Sequence, residues 1–409
     1  MYGGDFGRDL YAWIESADAL DDISLRCDLD QSELDDAIVS YVEAGGLNVE
    51  EDKGSVEFQG QVHGKAKVVS GFVEDYSSRI MSESMKAVVM GRPGGAEVLE
   101  LRDVDRPTPG ATEILVRVAS SGLNRADLLQ RRGLYPPPPG YPEDIPGLEY
   151  SGVIEVVGED VETLGVGEAV MGIIGGGAYA EYVVVPAVTA IRVPRGLGPV
   201  EAGAIPEVFM TAFDAVFLQE ELCTGETLLV HAVGSGVGTA ALQLAIRAGA
   251  VVIGTSRTEA KLEAAAALGL EHTVLGDEAW PSRVLEITGG SGADVILDLV
   301  GGTYLRGNQK VLASGGRHIV VGVPGGAKAE VDLRSLMIRR GSIRGTTLRA
   351  RPVNEKVDLA RTFERDVLPG FETGELRSVV DCVFQAGEAQ AAHRYMEENR
   401  NFGKILLAW

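Results

Sequence analysis

A glycine-rich turn lies between an apolar segment and an alanine-rich one, and this arrangement could bind a phosphate group. Gly234-Ser-Gly-Val-Gly238 follows residues 227–232, which have the length of a buried strand, and precedes a helix predicted over 239–248. A pyrophosphate must approach backbone amides at a helix N-terminus, where the helix dipole favours anions and side chains would block access. Tight turns also use glycine clusters, but a position between a strand and a helix favours dinucleotide binding.

The end of the second predicted strand carries residues that bear on the choice of dinucleotide. An Asp or Glu there binds the ribose hydroxyls of NAD and repels a 2′-phosphate. Here the sequence is Gly254-Thr-Ser-Arg257, with Lys261 one turn into the next helix. Ser256, Arg257 and Lys261 make a small basic, hydroxyl-bearing pocket, which predicts NADPH. The alternative interpretation is that Arg257 and Lys261 belong to a solvated helix face.

Short apolar segments alternate with helical ones through this part of the chain. Continuous apolar strands alternating with helices are typical of a parallel sheet covered on both faces. Right-handed crossovers then predict a doubly wound, Rossmann-type α/β fold. The predicted strands are 227–232, 251–255, 293–300 and 317–322, and a second helix is predicted over 258–268. His231 and His318 fall within strands and are expected to be hydrogen-bonded core residues rather than catalysts.

The charge of the chain is unevenly distributed. The 409 residues have a net charge of −23, and the first 84 of them hold 19 acids against six bases. At Met85 the acidic segment gives way to an apolar one, Met-Lys-Ala-Val-Val-Met, which predicts the first strand of a separate domain. Residues 1–84 are therefore predicted to be an acidic N-terminal extension, either winged-helix-like or partly disordered.

Composition disfavours several functional classes. A strongly acidic chain is a poor partner for nucleic acid or anionic membranes, since both need a positive field. No apolar stretch reaches the roughly 18 residues that a membrane helix needs. Three cysteines in 409 residues are not a disulfide framework, which predicts a reducing compartment and a cytoplasmic location. They are also too scattered for the paired spacings of a structural zinc site.

The order of the segments resembles the medium-chain dehydrogenase/reductase superfamily. In that family a GroES-like β domain is formed by the two ends of the enzyme, with the Rossmann domain inserted between them. The resemblance implies a GroES-like catalytic domain over 85–210 and 346–409 and a Rossmann NADPH-binding domain over 211–345. The motifs that carry it are Pro107-Thr-Pro-Gly110, Asn124-Arg-Ala-Asp127, Gly147-Leu-Glu-Tyr-Ser-Gly152, Gly165-Val-Gly-Glu-Ala-Val170, Ala204-Ile-Pro-Glu207, Thr211-Ala-Phe213, His231-Ala-Val-Gly-Ser-Gly-Val-Gly238 and Asn401-Phe-Gly-Lys404.

Within the superfamily, the sequence resembles the zinc-independent quinone oxidoreductases of the zeta-crystallin branch. Segment 124–140, which ends in a Tyr-Pro-Pro-Pro-Pro-Gly run, is most similar to the tumour-suppressor-inducible quinone oxidoreductase subgroup. The resemblance implies an NADPH-dependent enzyme that passes hydride or electrons to a quinone in the cleft between its domains. It also implies a homodimer formed through the Rossmann sheets.

Three positions that hold zinc ligands in the related alcohol dehydrogenases carry other residues here. The Cys, His and Cys ligands match Asn124, Leu148 and Glu207. Catalytic zinc is held by three N, S or O donors in a tetrahedral array. An amide, an alkyl chain and one carboxylate do not supply them, so no metal is expected. An electron-poor quinone suits such a site, because the protein then mainly orients the nicotinamide against the ring.

The resemblance also implies roles for individual residues. Asn124 and Tyr135 would face the nicotinamide as the candidate catalytic residues, with the Thr211 hydroxyl nearby. A tyrosine that many members use near the adenosine is absent from 274–277. The other implied cofactor contacts are Ser235, Gly236 and Val237 at the pyrophosphate, Lys261 near the 2′-phosphate, Gly322 and Val323 at the cofactor edge, and Asn401 near the C-terminus.

Tyr135 allows more than one interpretation. A phenol is a weak acid, with a reference pKa near 10, that can donate a proton when hydrogen-bonded in a dry site. Related metal-free enoyl-thioester reductases use a tyrosine in a similar Gly-x-Tyr-Pro setting. The second hypothesis is therefore an NADPH-dependent reductase of 2-alkenals or enoyl thioesters. Alternatively, Tyr135 only stacks or caps the cleft. A third hypothesis is an NADPH-binding structural or regulatory protein without significant turnover.

Overall fold

Residues 84–409 are the part of the chain that the computed structural model describes. The acidic extension predicted for 1–84 lies outside the described residues except for Ser84. The strand predicted from Met85 is present as β1 (Ser84–Met90). Within the described region, no helix has both the length and the apolar character needed to cross a membrane.

Antiparallel strands dominate the first part of the described chain. Residues 114, 116 and 118 of the third strand alternate into a buried cluster with Ile154 and Val183, as the two-residue period of a strand requires. The strands after β1 are β2 (Leu99–Asp105), β3 (Glu113–Gly122), β4 (Glu149–Val157), β5 (Ala169–Ile173), β6 (Tyr182–Pro186) and β7 (Ile191–Arg192). The helices are α1 (Arg125–Arg131), α2 (Pro199–Ala202) and α3 (Pro206–Phe213), which continues as a π-helical segment over Asp214–Gln219.

A six-stranded parallel sheet follows, in the order β10-β9-β8-β11-β12-β13. This arrangement confirms the predicted doubly wound α/β fold. The strands are β8 (Thr227–Val230), β9 (Val251–Ser256), β10 (His272–Leu275), β11 (Ala293–Asp298), β12 (Leu312–Val320) and β13 (Ser342–Gly345). The helices are α4 (Gly236–Arg247), α5 (Glu259–Ala266), α6 (Trp280–Ile287), α7 (Gly302–Val311) and α8 (Leu333–Arg339).

Two predicted boundaries differ from the structure for local reasons. The helix expected from residue 239 begins at Gly236, because the Ser235 side chain already caps it. The strand expected over 293–300 ends at Asp298, whose carboxylate accepts the amides of Val300 and Gly301 at 2.8 Å and turns the chain.

The C-terminal part of the chain returns to the first sheet. Its elements are α9 (Val353–Asp366), α10 (Leu368–Glu372), β14 (Val380–Gln385), α11 (Ala389–Glu397) and β15 (Lys404–Ala408). β14 pairs with β15, and β15 pairs antiparallel with β3. The resulting seven-stranded sheet runs β14-β15-β3-β4-β5-β7, with β6 also paired to β3. This return brings Lys404 beside β3 and β4.

One hydrophobic core joins the two sheets. Met171 of the first sheet and Leu228 of the second belong to the same buried cluster, with α3 between them. On α3, Phe209 meets Phe371 edge to face, with ring centroids 4.8 Å apart. Helix α3 is therefore the element that sets side chains of the first sheet against the glycine-rich turn.

Candidate active site

The glycine-rich turn forms an anion-binding helix N-terminus. The Ser235 hydroxyl accepts the Gly238 amide at 3.1 Å. The amides of Gly236 and Val237 belong to the first turn of the helix and have no acceptor within it. The preceding residue, Ser235, forms a parallel bridge with Gly403. A Cβ on Gly238 would lie 2.5 Å from the Ala232 carbonyl oxygen, so helix and strand can approach this closely only with glycine. First-turn amides of a twelve-residue helix fit a dinucleotide pyrophosphate.

The loop before β15 docks onto this turn. Gly403 donates its amide to the Gly234 carbonyl at 3.0 Å. Lys261 donates from Nζ to the carbonyls of Asn399 and Asn401, at 2.7 and 2.6 Å. Asn401 itself is turned inward, since its amide donates to the Gly403 carbonyl at 2.8 Å. Lys261 therefore holds this loop with two of its three ammonium hydrogens, a role that the sequence did not indicate.

A basic cluster lies beside the loop and contains one residue that the sequence analysis missed. Arg125, at the start of α1, donates to the Asn399 side chain. Desolvation first, and then the charge of Arg257, lowers the pKa of Arg125. Burial, followed by the charges of Arg125 and Arg257, likewise lowers the pKa of Lys261. Three cations close enough to repel one another suit a phosphate dianion. No spacing in the sequence relates Arg125 to the other two.

Ser256, at the end of β9, is buried beside a tyrosine from a distant helix. Its carbonyl accepts the Gly276 amide at 2.7 Å. The hydroxyl of Tyr304 lies close to Gly276: a Cβ added to Gly276 would be 2.7 Å from it. Tyr304 stacks on Trp280 with ring centroids 5.3 Å apart. The segment 274–277, which has no tyrosine of its own, thus has the Tyr304 side chain from α7 beside it, with the hydroxyl 3.4 Å from the Gly276 carbonyl oxygen.

Asn124 is held in a hydrogen-bonded network immediately before α1. Its backbone amide donates to the Asp127 carboxylate at 2.7 Å, which caps the helix. Its side-chain nitrogen donates to Glu149 at 2.9 Å, and its side-chain oxygen accepts from Lys404 at 2.9 Å. Both ends of the amide are fixed, so its orientation is set by β4 and β15.

Lys404 occupies the centre of this network with its full set of donors. Its ammonium donates to Glu149 at 2.5 Å and to the Leu123 carbonyl at 2.6 Å, in addition to Asn124. Leu148 is buried beside Glu149 and offers no ligand atom. Within residues 84–409, no group of three or more His, Cys, Asp or Glu side chains could hold a metal ion. The residues here do not fit a catalytic zinc ion.

Glu207 and Thr211 lie one turn apart on α3, so they share a face of the helix. Thr211 is buried, whereas Glu207 retains partial exposure. The Glu207 backbone amide donates to the second oxygen of Glu149 at 2.8 Å. Burial, and then the Glu149 carboxylate, raise the pKa of Glu207 from 4.5 to about 8. A protonated carboxyl at neutral pH was not apparent from the sequence.

Tyr135 is positioned by residues after β13. Its hydroxyl lies 3.2 Å from the Thr347 hydroxyl, and its carbonyl accepts from Arg349 at 3.0 Å. The Arg349 guanidinium also stands over the Tyr135 ring, 4.9 Å from the centroid. Arg349 donates further to the Gly175 carbonyl at 2.7 Å and to Gln130. Thr347 and Arg349 were missed by the sequence analysis because they lie more than two hundred residues away.

Gly322 and Val323 lie just beyond β12, which ends at Val320 rather than at the predicted residue 322. The Gly322 amide points at the Asp298 carbonyl, 3.4 Å away, and Val323 is exposed. Both residues lie at the carboxyl end of the parallel sheet, the edge at which open α/β sheets bind ligands.

Both histidines are buried core residues, as expected, but only His318 lies in a strand, because β8 ends at Val230 and His231 begins the turn after it. His231 lies 2.7 Å from the Asn308 side chain through Nε2, and His318 lies 3.0 Å from Asp298. Asn308 also donates to Asp298, which closes a buried polar network. Burial lowers the pKa of His231 to about 4, so this ring is neutral.

Comparisons with known proteins agree with this architecture. Residues 110–195 match the family described as alcohol dehydrogenase GroES-like domain, and residues 236–363 match the zinc-binding dehydrogenase family. A quinone oxidoreductase from Lama guanicoe is 31% identical over 79% of this chain and 97% of its own length.

Solved structures show the same similarity in three dimensions. A structure described as an NAD-dependent alcohol dehydrogenase is 35% identical, with a TM-score of 0.72 over 80% of this chain and 100% of that one. The CurK enoyl reductase is 25% identical, with a TM-score of 0.71 over 79% of this chain and 99% of that one. The chain therefore belongs to the medium-chain dehydrogenase/reductase family, whose members bind NAD(P), and is an oxidoreductase of that family.

Proposed function

We propose that the protein is an NADPH-dependent, zinc-independent quinone oxidoreductase. The observation that carries the proposal is the ammonium of Lys404, which donates to Asn124 and Glu149 at the place where relatives hold a metal. Without a Lewis acid, the site favours a substrate that accepts reducing equivalents readily. A quinone is such a substrate, and the similarity to the Lama guanicoe enzyme supports the same class.

Different residues would bind different parts of the cofactor. The first-turn amides of Gly236 and Val237 would receive the pyrophosphate, and Arg125 with Arg257 would receive the 2′-phosphate. When bound, NADPH supplies the hydride. Asn124 would hold the nicotinamide end, because Lys404 and Glu149 leave its amide one orientation. The protein thus contributes orientation rather than bond activation.

A second candidate function is reduction of a conjugated carbon–carbon double bond. It is favoured by the Tyr135 hydroxyl, which has Thr347 as a hydrogen-bond partner, and by the similarity to the CurK enoyl reductase. The two functions share the fold and the cofactor, and they differ in their need for a proton. In the Tyr135→Phe variant, a large loss of kcat for enones with a smaller loss for quinones would favour the second function.

The most direct test is steady-state oxidation of NADPH over a panel of ortho- and para-quinones and enones. We expect turnover with quinones above the background rate, and weaker turnover with enones. No NADPH oxidation with any member of the panel would contradict both enzymatic proposals. The remaining hypothesis would then be a dinucleotide-binding protein without turnover.

We also propose a cytoplasmic homodimer. The low cysteine content suits a reducing compartment. The outer edge of the parallel sheet is β13, and the neighbouring helix α8 exposes Leu333, Met337 and Ile338 by 67%, 76% and 70%. An open strand edge beside an apolar helix face is a surface that a second copy could cover.

A further inference from the structure

We propose that Glu207 is the proton donor to the reduced substrate. This inference rests on the proposed function, because it assumes that hydride reaches a quinone or an enone at this site. It assigns Glu207, a position compared above only with zinc ligands, to proton transfer. Tyr135 then takes the alternative role of a residue that caps the cleft.

The placement of Glu207 follows from contacts on three sides. Its backbone is fixed by the hydrogen bond to Glu149, the same carboxylate that holds Asn124. The next residue, Val208, packs against the glycine-rich turn: a Cβ added to Gly236 would lie 2.7 Å from the Val208 side chain. Thr211 lies one turn further along the same face. Glu207 therefore lies in the first turn of α3, between the glycine-rich turn and the Glu149–Asn124 network, and its carboxyl is within electrostatic range of Glu149, Lys404 and Arg349.

The Glu207 carboxyl has no hydrogen bond or ion pair with another residue of the described region, although it is only partly exposed. Its proton is therefore available to a ligand. By contrast, the nearby Glu149 carboxylate accepts hydrogen bonds from Lys404, from Asn124 and from the Glu207 amide.

The charges facing Glu207 come from several elements and oppose one another. Glu149 on β4 and Asp127 on α1 favour the protonated form, whereas Lys404 on β15 and Arg349 favour the ionised form. Lys356 on α9 adds a further positive charge. With burial included, the pKa of Glu207 is about 8, so the carboxyl holds its proton at neutral pH. An acid whose pKa lies near the operating pH is the most effective donor.

The proton transfer balances without a further reactant. Hydride addition gives the substrate two electrons and leaves it as an anion, an enolate from an enone or a phenolate from a quinone. The O–H bond of Glu207 breaks, and its proton bonds to the anionic carbon or oxygen. Glu207 is left as a carboxylate, which water reprotonates before the next turnover.

The test compares Glu207→Gln, which keeps the shape and cannot donate a proton, with Glu286→Gln on an exposed part of α6. For enone reduction, we expect Glu207→Gln to lower kcat about 100-fold, the scale of general acid catalysis. Wild-type kcat should fall as the pH rises through about 8, and the kcat of the Glu207→Gln variant should not show this decrease. Glu207→Asp should restore part of kcat and the decrease of kcat at high pH.

NADPH titration provides a readout that does not depend on turnover. We expect the dissociation constant of the Glu207→Gln variant to stay within about twofold of the wild type, which shows that the fold and cofactor site are intact. Full enone activity in this variant with an unchanged pH profile would overturn the assignment of Glu207. An inactive wild type with every quinone and enone would instead overturn the proposed function, and the inference with it.

Discussion

Lys404 and Glu149 form an ion pair that is almost entirely removed from water. Nζ lies 2.5 Å from Oε1, and the side chains are 4% and 0% exposed. A buried pair of this kind is costly to desolvate, and breaking it leaves one charge uncompensated. Because the same two residues fix Asn124, this pair links the stability of the sheet to the geometry of the site.

Replacing Lys404 with Met should therefore destabilise the protein strongly. The change keeps the length of the side chain and leaves Glu149 buried without its partner, so we expect a loss of about 3–5 kcal/mol in the free energy of unfolding. Urea denaturation measures this loss. Lys86→Met is the matched control, because the Lys86–Asp103 pair is exposed and should cost less than about 1 kcal/mol. Equal losses in the two variants would contradict the role of the buried pair.

Arg125→Ala should reduce the preference for NADPH over NADH. We expect the wild type to bind NADPH at least about tenfold tighter, since charge-assisted hydrogen bonds to a phosphate contribute about 1.5–3 kcal/mol each. The variant should bind NADPH about tenfold more weakly and NADH almost unchanged, as measured by fluorescence titration. Arg195→Ala, in an exposed loop, is the control. If Arg125→Ala lowered the affinities for NADPH and NADH by the same factor, Arg125 would not contact the 2′-phosphate.

The stability of the Glu207→Gln variant should depend on pH differently from that of the wild type. The pKa of Glu207 is raised from 4.5 to about 8, so between these values the folded state holds a proton that the unfolded state has released. Wild-type stability therefore falls as the pH rises through this window, while below about 4.5 the effect of Glu207 vanishes. Asp127, whose pKa is raised to about 6, titrates in both proteins.

Thermal unfolding at several pH values measures this effect. The advantage in Tm of Glu207→Gln over the wild type should be small near pH 5 and should grow steadily up to about pH 8.5. Glu286→Gln, which removes an exposed carboxylate from α6, is the control. A difference for Glu207→Gln that does not change with pH would mean that Glu207 titrates normally.

Met337→Asp should dissociate the proposed dimer. Met337 is 76% exposed on α8, beside the open edge of β13, so a charge there would be buried unpaired in any interface that covers the helix. Light scattering at micromolar concentration should give the mass of two chains for the wild type and of one for the variant. Val166→Asp, on an exposed loop of the first sheet, should remain dimeric. A monomeric wild type would refute the proposed homodimer.

The sequence predicted those features that consecutive residues determine. Strand, glycine turn and helix follow one another over 227–247, so their periodicity and the position of Ser235 could be interpreted without coordinates. Two of the boundary errors arose where a side chain bonds to the backbone, at Ser235 and at Asp298. Asp298, for example, ended a strand whose apolar pattern continued.

The parts of the site that the sequence did not predict depend on long-range contacts. Lys404 meets Glu149 across 255 positions, and Arg349 meets the Tyr135 carbonyl across 214. Lys261 carried the right charge for a phosphate, yet the structure also gives it two carbonyl partners from the loop before β15. Such pairings depend on how the two sheets pack, which no local pattern specifies.

The late position of β15 also affects how the chain is made. The parallel sheet is built from consecutive residues between Thr227 and Gly345, so it can form while later residues are still being synthesised. The first part of β3 pairs with β6, but Ser120 to Gly122 must wait for β15. Until β15 is in place, these three residues lack that partner strand and Glu149 lacks the Lys404 ammonium. The first sheet and the ion pair at the site are therefore completed together, in one late step of folding.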